Sequence, residues 1–241
     1  MRIRNIDVLL MILIVVAVFP PEPVVSAQIA QNLSQHLTMN RRVMVVCPRP
    51  TRPYGTVILN QKNKYMPYEV RIARSYVHPG PSFIGRMLES ISFGRATRKV
   101  IRERHSELTV VYANTWPIFA QFTVTRTCEK LNIPLVIHVQ DIYPETLTDR
   151  LGLIGPIVRA LLMPIEKYIM HNATAILAIG NKMAGYLATS RRIDKNKIIV
   201  VYNWQDESRF KMPEHKQKAE AVFSFMYLGS LSPSANIEAV I

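Results

Sequence analysis

Short, almost uninterrupted apolar runs return along this chain, with stretches of helical periodicity between them. The runs cover residues 8–19, 42–47, 108–113, 135–139, 173–178 and 198–201. Residues 68–76 instead alternate apolar and polar, as a half-exposed strand does. A strand reads as a continuous Val/Ile/Leu run when helices cover both of its faces. Helices are expected over residues 26–39, with Ser26 as N-cap and Ile29, Leu33 and Leu37 at helical spacing, and over 82–105. Others are expected over 117–131, with proline in the first turn, over 157–171, where Pro164 should kink the helix, and over 182–188. Strand–helix alternation over about two hundred residues specifies an α/β fold: a Rossmann-like, doubly wound parallel sheet with helices on both faces. In such sheets ligands sit beyond the carboxyl ends of the strands. The loops that matter therefore follow Phe19, Cys47, Asn114, Val139, Ile179 and Val201.

Residues 8–19 admit a second reading. Arg2 and Arg4 precede the run, and Val25-Ser26-Ala27 resembles a cleavage site, which is the form of a signal peptide. The run is short for a membrane span, which needs about 20 residues. Asp7 at its start and Pro20-Pro21-Glu22-Pro23 after it favour a buried strand. Composition narrows the remaining classes. Two cysteines, Cys47 and Cys128, exclude a disulfide-stapled scaffold, and no Cys/His spacing suggests zinc. Thirty Lys and Arg against 17 Asp and Glu give a formal charge of +13. That sign attracts nucleic acid, anionic lipid or phosphorylated substrates. No helix-turn-helix, zinc finger or aromatic–basic strand motif accompanies the charge, so nucleic acid is not the expected partner.

Residues 205–222 are polar and charged and read as a linker or an exposed helix. Residues 223–228 begin a fresh apolar strand, and Gly229-Ser230-Leu231-Ser232 leads into a helix opening near Pro233. The expected organisation is a domain over 1–204, a linker over 205–222, and the start of a second, truncated domain over 223–241.

Five segments in order carry a family resemblance. They are Phe19-Pro20-Pro21-Glu22-Pro23 with the helix start after it; Cys47-Pro48-Arg49-Pro50-Thr51-Arg52-Pro53-Tyr54-Gly55; His138-Val139-Gln140-Asp141-Ile142-Tyr143-Pro144-Glu145; Val201-Tyr202-Asn203-Trp204; and Phe225-Met226-Tyr227-Leu228-Gly229-Ser230-Leu231. Together the sequence resembles the N-terminal half of a GT-B glycosyltransferase of retaining family four, of the bacterial type that builds surface polysaccharides and lipid-linked glycans. The resemblance implies that residues 8–19 are a core strand and that 1–204 form the acceptor-side domain. It implies that 223–241 open the donor-binding domain. It further implies transfer of a sugar from a nucleotide-sugar donor to a saccharide or lipid-linked acceptor, without a bound metal or other cofactor.

Such a reaction needs the departing diphosphate stabilised and the acceptor hydroxyl held at the anomeric carbon. The resemblance places Gln140 and Asp141 at the reacting centre, where many members carry His-Asp. Gln140 does not exchange a proton near neutral pH but can hydrogen-bond a sugar hydroxyl. Asp141 would orient the acceptor, or cap its own loop as an Asx turn. His138 shares a strand face with Gln140 and is a site residue or a satisfied core histidine. Glu22, Val25 and Ser26 match the family's first loop, where Val24 and Val25 replace adjacent glycines; an ordinary strand–helix turn is the competing reading. Arg49 and Arg52, on a proline-stiffened loop, suit a phosphate or an acidic sugar, or form a solvated charge pair. Asn203 and Trp204 match the domain crossover and suit hinge packing. Gly229 is kept, but Ser230 and Ala235 stand where members carry the Arg and Lys that hold the diphosphate. The family's paired-glutamate motif would lie beyond Ile241.

Residues 82–105 mix Phe83, Ile84, Met87 and Leu88 with Arg95, Arg98, Lys99 and Arg102. A basic amphipathic helix reads as a docking surface for anionic lipid, or as a scaffold helix with a solvated face. The expected location is cytoplasmic, peripheral on the inner face of the membrane. The chain alone is expected not to turn over substrate. A non-catalytic binding module of the same fold is the alternative, since fold does not dictate chemistry.

Overall fold

The computed structural model describes residues 10–50, 66–78, 80, 82–114, 117–149, 151–204 and 226. The strands are β1 (Met11–Val15), β2 (Arg42–Cys47), β3 (Glu69–Ile72), β4 (Leu108–Asn114), β5 (Leu135–Val139), β6 (Ala175–Ala178) and β7 (Ile198–Val200). The helices are α1 (Val25–Leu37), α2 (Phe83–Arg104), α3 (Ile118–Lys130), α4 (Glu145–Thr148), α5 (Gly155–Asn172) and α6 (Asn181–Arg191). All seven strands pair in parallel, in the order β3-β2-β1-β4-β5-β6-β7. Winding reverses between β1 and β4, so their carboxyl ends open a crevice.

Alternate residues of the central strands feed two cores. Leu13, Val15, Val111, Ala113, Ile137 and Ile176 join one, which α2, α3, α5 and α6 cover. Ile14, Val16, Val45 and Tyr112 join the other, against Ala30, Leu33 and Leu37 of α1. This double coverage is why the central strands are apolar throughout. Edge strand β3 has one neighbour, and its residues are half-buried or exposed. The alternating pattern of residues 68–76 reflects that edge, though only Glu69–Ile72 pair.

Helix α2 packs against α3 at close range. A Cβ on Gly94 would lie 2.8 Å from Ala120 Cα and 3.0 Å from Thr123 Cβ. Beside it, Ser90 Oγ accepts the Ala120 amide at 3.0 Å.

Several sequence expectations shift at element ends. Ser26 is not the N-cap: α1 begins at Val25, and Val24 takes the cap position with extended backbone and no side-chain bond. Prolines before Val24 fix the chain's entry, so the helix starts before the serine can serve. The first strand is shorter than 8–19. The Val16 amide still donates to the Val46 carbonyl at 3.1 Å, but residues 17–19 leave the sheet, although Val18 and Phe19 stay buried. Helix α5 begins earlier than residue 157 and continues through Pro164 to Asn172. Ser82 caps α2 through its hydroxyl, which accepts the Gly85 amide at 3.4 Å.

The chain divides into two compact units, residues 1–205 and 206–241. The expected linker and second-domain start, apart from Met226, lie outside the described residues.

Candidate functional site

The crevice beyond β1, β2 and β3 is lined by Ala17, Pro48, Arg49, Ser75, Tyr76 and Phe93, among others. Its enclosed part is about 40 Å³, room for a water rather than a sugar ring. Arg49 is exposed at its rim, while Ser75 Oγ is buried with no hydrogen-bond partner among the described residues. Glu22 is buried in the turn after β1, where its amide donates to the Phe19 carbonyl at 3.2 Å. Its carbonyl accepts the Val24 amide at 2.9 Å. Burial, with the Glu22 charge nearby, pushes the Cys47 thiol up to about 12, so Cys47 is an inert core residue. Val25 is exposed and Ser26 half-buried at the start of α1.

Polar groups converge at the ends of β4 and β5. His138 is fully buried, and Tyr112 Oη lies 2.5 Å from its Nδ1. Burial pushes the imidazole down to about 4 and the Tyr112 phenol well up, so both are neutral near pH 7. The phenol therefore donates to Nδ1, which leaves the imidazole proton on Nε2. That nitrogen is buried with no partner among the described residues. So are Gln140 Nε2, just past β5, and Asn114 Oδ1, at the end of β4 and in register with His138. His138 is thus a core histidine only half satisfied. Asp141 is exposed and forms no hydrogen bond among the described residues, so the Asx-turn reading finds no support there.

A buried cation anchors the loop that carries Gln140 and Asp141. Arg191, at the end of α6, is 1% exposed. Its guanidinium grips Glu145 with two nitrogens, each at 2.6 Å. It also donates to Glu166 at 2.8 Å and to the Tyr143 carbonyl at 3.0 Å. Tyr186 Oη donates to Glu145 at 2.8 Å. Burial works to raise the Glu145 carboxyl, but the Arg191 and Tyr186 hydrogen bonds outweigh it and hold it low. For Glu166 burial wins against Arg191 and pushes the carboxyl up to about 7. One guanidinium facing two carboxylates keeps Glu145 charged and leaves Glu166 divided between its charged and neutral forms near pH 7.

Sequence reasoning quoted Glu145 within a motif but missed Arg191 and Glu166. The available signal was a charge on an apolar stripe: Arg191 follows Leu187 by four residues, and Glu166 falls beside Leu162, Ile169 and Met170. Asn203 is exposed beyond β7, four strand positions from β1, or about 19 Å at ~4.8 Å per strand. The structure does not bring it to the crevice. Arg52, Gly229 and Ser230 lie outside the described residues.

A seven-stranded parallel sheet of this order, with its crevice at the winding reversal, is the Rossmann-like fold of a GT-B N-terminal domain. Residues 26–209 match the family described as Glycosyltransferase Family 4, and the chain belongs to that family. HepE from Anabaena, solved with UDP and glucose, shares the fold at a TM-score of 0.52 and 16% identity, over 84% of this chain and 47% of that one. A sucrose-phosphate synthase structure from Thermosynechococcus elongatus matches at a TM-score of 0.55 and 9% identity, over 81% of this chain and 90% of that one. The chain thus spans about half the length of HepE. No curated protein sequence matches it.

Proposed function

We propose that the chain is the acceptor-side domain of a retaining glycosyltransferase that moves a sugar from a nucleotide donor to a saccharide or lipid-linked acceptor, in surface-polysaccharide synthesis. The observation that supports this reading is the set of buried polar atoms, at the ends of neighbouring strands, that no described residue pairs. Asn114 Oδ1, His138 Nε2 and Gln140 Nε2 supply one acceptor and two donors at the carboxyl ends of β4 and β5, the ends beyond which such sheets take ligands. Sugar hydroxyls, which donate and accept, would satisfy all three. Exposed Asp141 would orient the acceptor hydroxyl. The neutral amide of Gln140 would position the transferred sugar, with the leaving phosphate acting as base. HepE structures with UDP, and with UDP-glucose, support a nucleotide-sugar donor. Donor grip by Gly229 and Ser230, acceptor contacts from Glu22, Val25, Ser26, Arg49 and Arg52, and a hinge at Asn203 belong to the same proposal. No metal or other cofactor is invoked.

Among the described residues no helix is long and apolar enough to cross a membrane. A lipid-linked acceptor would be reached by peripheral docking on the inner, anionic face through α2. There Phe83, Ile84 and Leu88 are exposed, as are Arg95, Arg98, Lys99 and Arg102.

The test is nucleotide release from a panel of nucleotide-sugars by the full-length gene product. Asp141→Asn and Gln140→Ala should each lower turnover by about 10²-fold, with unchanged folding. Absence of both donor turnover and nucleotide-diphosphate binding would favour a non-catalytic module instead.

A further inference from the structure

Two grooves meet on the outer surface of α2, α3 and α5. One, of about 200 Å³ between α2 and α3, is lined by Arg98, Arg102, Arg126 and Lys130, with no carboxylate. The other, open and about 700 Å³, runs between α3 and α5 past Pro164, Ile165 and Tyr168. Phe122, Arg126 and Lys130 line both. The four cations are exposed, and none forms an ion pair among the described residues. Nearby carboxylates are occupied. Glu103 holds Arg71 at 2.8 Å and Lys99 at 3.9 Å, and Glu129 accepts the Tyr168 hydroxyl. The Arg126 guanidinium lies 5.7 Å over the Phe122 ring, which holds it in place.

The apolar groove continues up α5. Ile154, Ile157 and Leu161 are 58%, 63% and 69% exposed. With Pro164, Ile165 and Tyr168 they recur at three- and four-residue spacing and form one stripe. Residues Leu162, Ile169 and Met170 already meet the sheet, so α5 has a second apolar stripe; Ile165 on it packs against the core and Tyr168 against Phe122, while Ile157 and Leu161 are left uncovered among the described residues.

We propose that the face formed by α2, α3 and α5 docks on an anionic phospholipid bilayer. Lipid phosphates would enter the Arg98–Arg102–Arg126–Lys130 groove, and Ile157 and Leu161 would sink to the headgroup–acyl boundary. Charge complementarity selects an anionic partner, and the adjoining apolar stripe selects one with an apolar layer beneath its charges. Planar guanidinium groups bind phosphate with two nitrogens at once, which a solvated charge pair does not exploit. Stable peripheral anchoring takes two signals of this kind together. The inference rests on the membrane part of the proposed function and moves the contact from α2 alone to all three helices.

The experiment is flotation of the full chain with vesicles of equal parts phosphatidylglycerol and phosphatidylcholine, and with pure phosphatidylcholine. The wild type should float with the anionic vesicles alone. A variant with Arg126→Gln, Lys130→Gln and Leu161→Gln leaves α2 whole and should bind at least about tenfold more weakly. A second variant with Ile84→Gln and Leu88→Gln reads the share of α2 and should bind more weakly than wild type but more tightly than the first variant. All positions are exposed, and unchanged thermal melting will show that both variants fold. If the first variant floats like wild type and the second does not, α2 carries the contact and the groove proposal falls while membrane docking stands. If wild type binds no anionic vesicle, both fall. Release of the bound protein by millimolar glycerol phosphate would assign the groove to a free anion and overturn the lipid proposal.

Discussion

Replacing Arg191 with methionine removes the guanidinium that bridges Glu145 and Glu166 while keeping most of the side-chain volume. Three short hydrogen bonds to carboxylates are lost. Each charge-assisted bond is worth about 1.5–3 kcal/mol, but bonds that share one group do not add. Protonation sets the ceiling. Glu166 already titrates near 7 and escapes much of its burial cost by taking up a proton. Glu145 depends on Arg191 and Tyr186 to stay charged while buried. The expected loss is about 3–5 kcal/mol, as for other buried pairs stripped of one partner. That is a large share of the ~5–15 kcal/mol that holds a domain together. Urea unfolding followed by circular dichroism, at about pH 5.5 and about pH 8, measures it. The Glu166 carboxyl is raised in the folded state. Its stabilising share is complete below the unfolded value of 4.5 and is lost as pH rises through about 7. Without Arg191 both carboxyls move higher, so the loss should be larger at about pH 8 than at about pH 5.5. A loss below about 1 kcal/mol, or one equal at the two pH values, would refute the account of a charged anchor under the loop that carries Gln140 and Asp141.

Gly94→Ala should cost about 1–2 kcal/mol, because overpacking against the Ala120 backbone outweighs the better helix propensity of alanine; thermal melting reads it. Tyr112→Phe removes the donor to His138 Nδ1 and should cost about 1–3 kcal/mol in denaturant unfolding, with no change in far-ultraviolet circular dichroism. His138 is depressed to about 4 in the folded state, so its share is full above 6.5 and lost as pH falls toward 4, opposite in sign to that of Glu166. In Glu166→Gln the histidine limb stands alone, and stability should fall more steeply than in wild type between about pH 6.5 and 4; an unchanged profile would count against both assignments.

Much of the sheet was legible because its cause is local. Leu13, Val45, Val111 and Ile137 sit in strands buried on both faces, and that burial writes itself into contiguous sequence. Helix ends were legible at α2, expected over 82–105 and found over Phe83–Arg104, and not where prolines overrode ordinary capping preference, as at Ser26. The parallel alternation also located the carboxyl-end loops before any strand order was known. The site was less legible. His138 and Gln140 were singled out, but nothing local to them shows that Tyr112 would meet one ring nitrogen and that Asn114 would lie in register beside them.

By itself, then, the sequence determined the fold class, the sheet's apolar centre and which loops follow the carboxyl ends of the strands. Each follows from solvent exposure along neighbouring residues, which leaves a period of two or of 3.6 in the chain. Tertiary structure alone decided that Arg191 reaches Glu145 across 46 residues and Glu166 across 25. It also decided that Arg98 and Arg102 meet Arg126 and Lys130 in one groove. Those meetings depend on how α2, α3, α5 and α6 cross one sheet face. The crossing brings together charges whose separation in the chain carries no periodic trace.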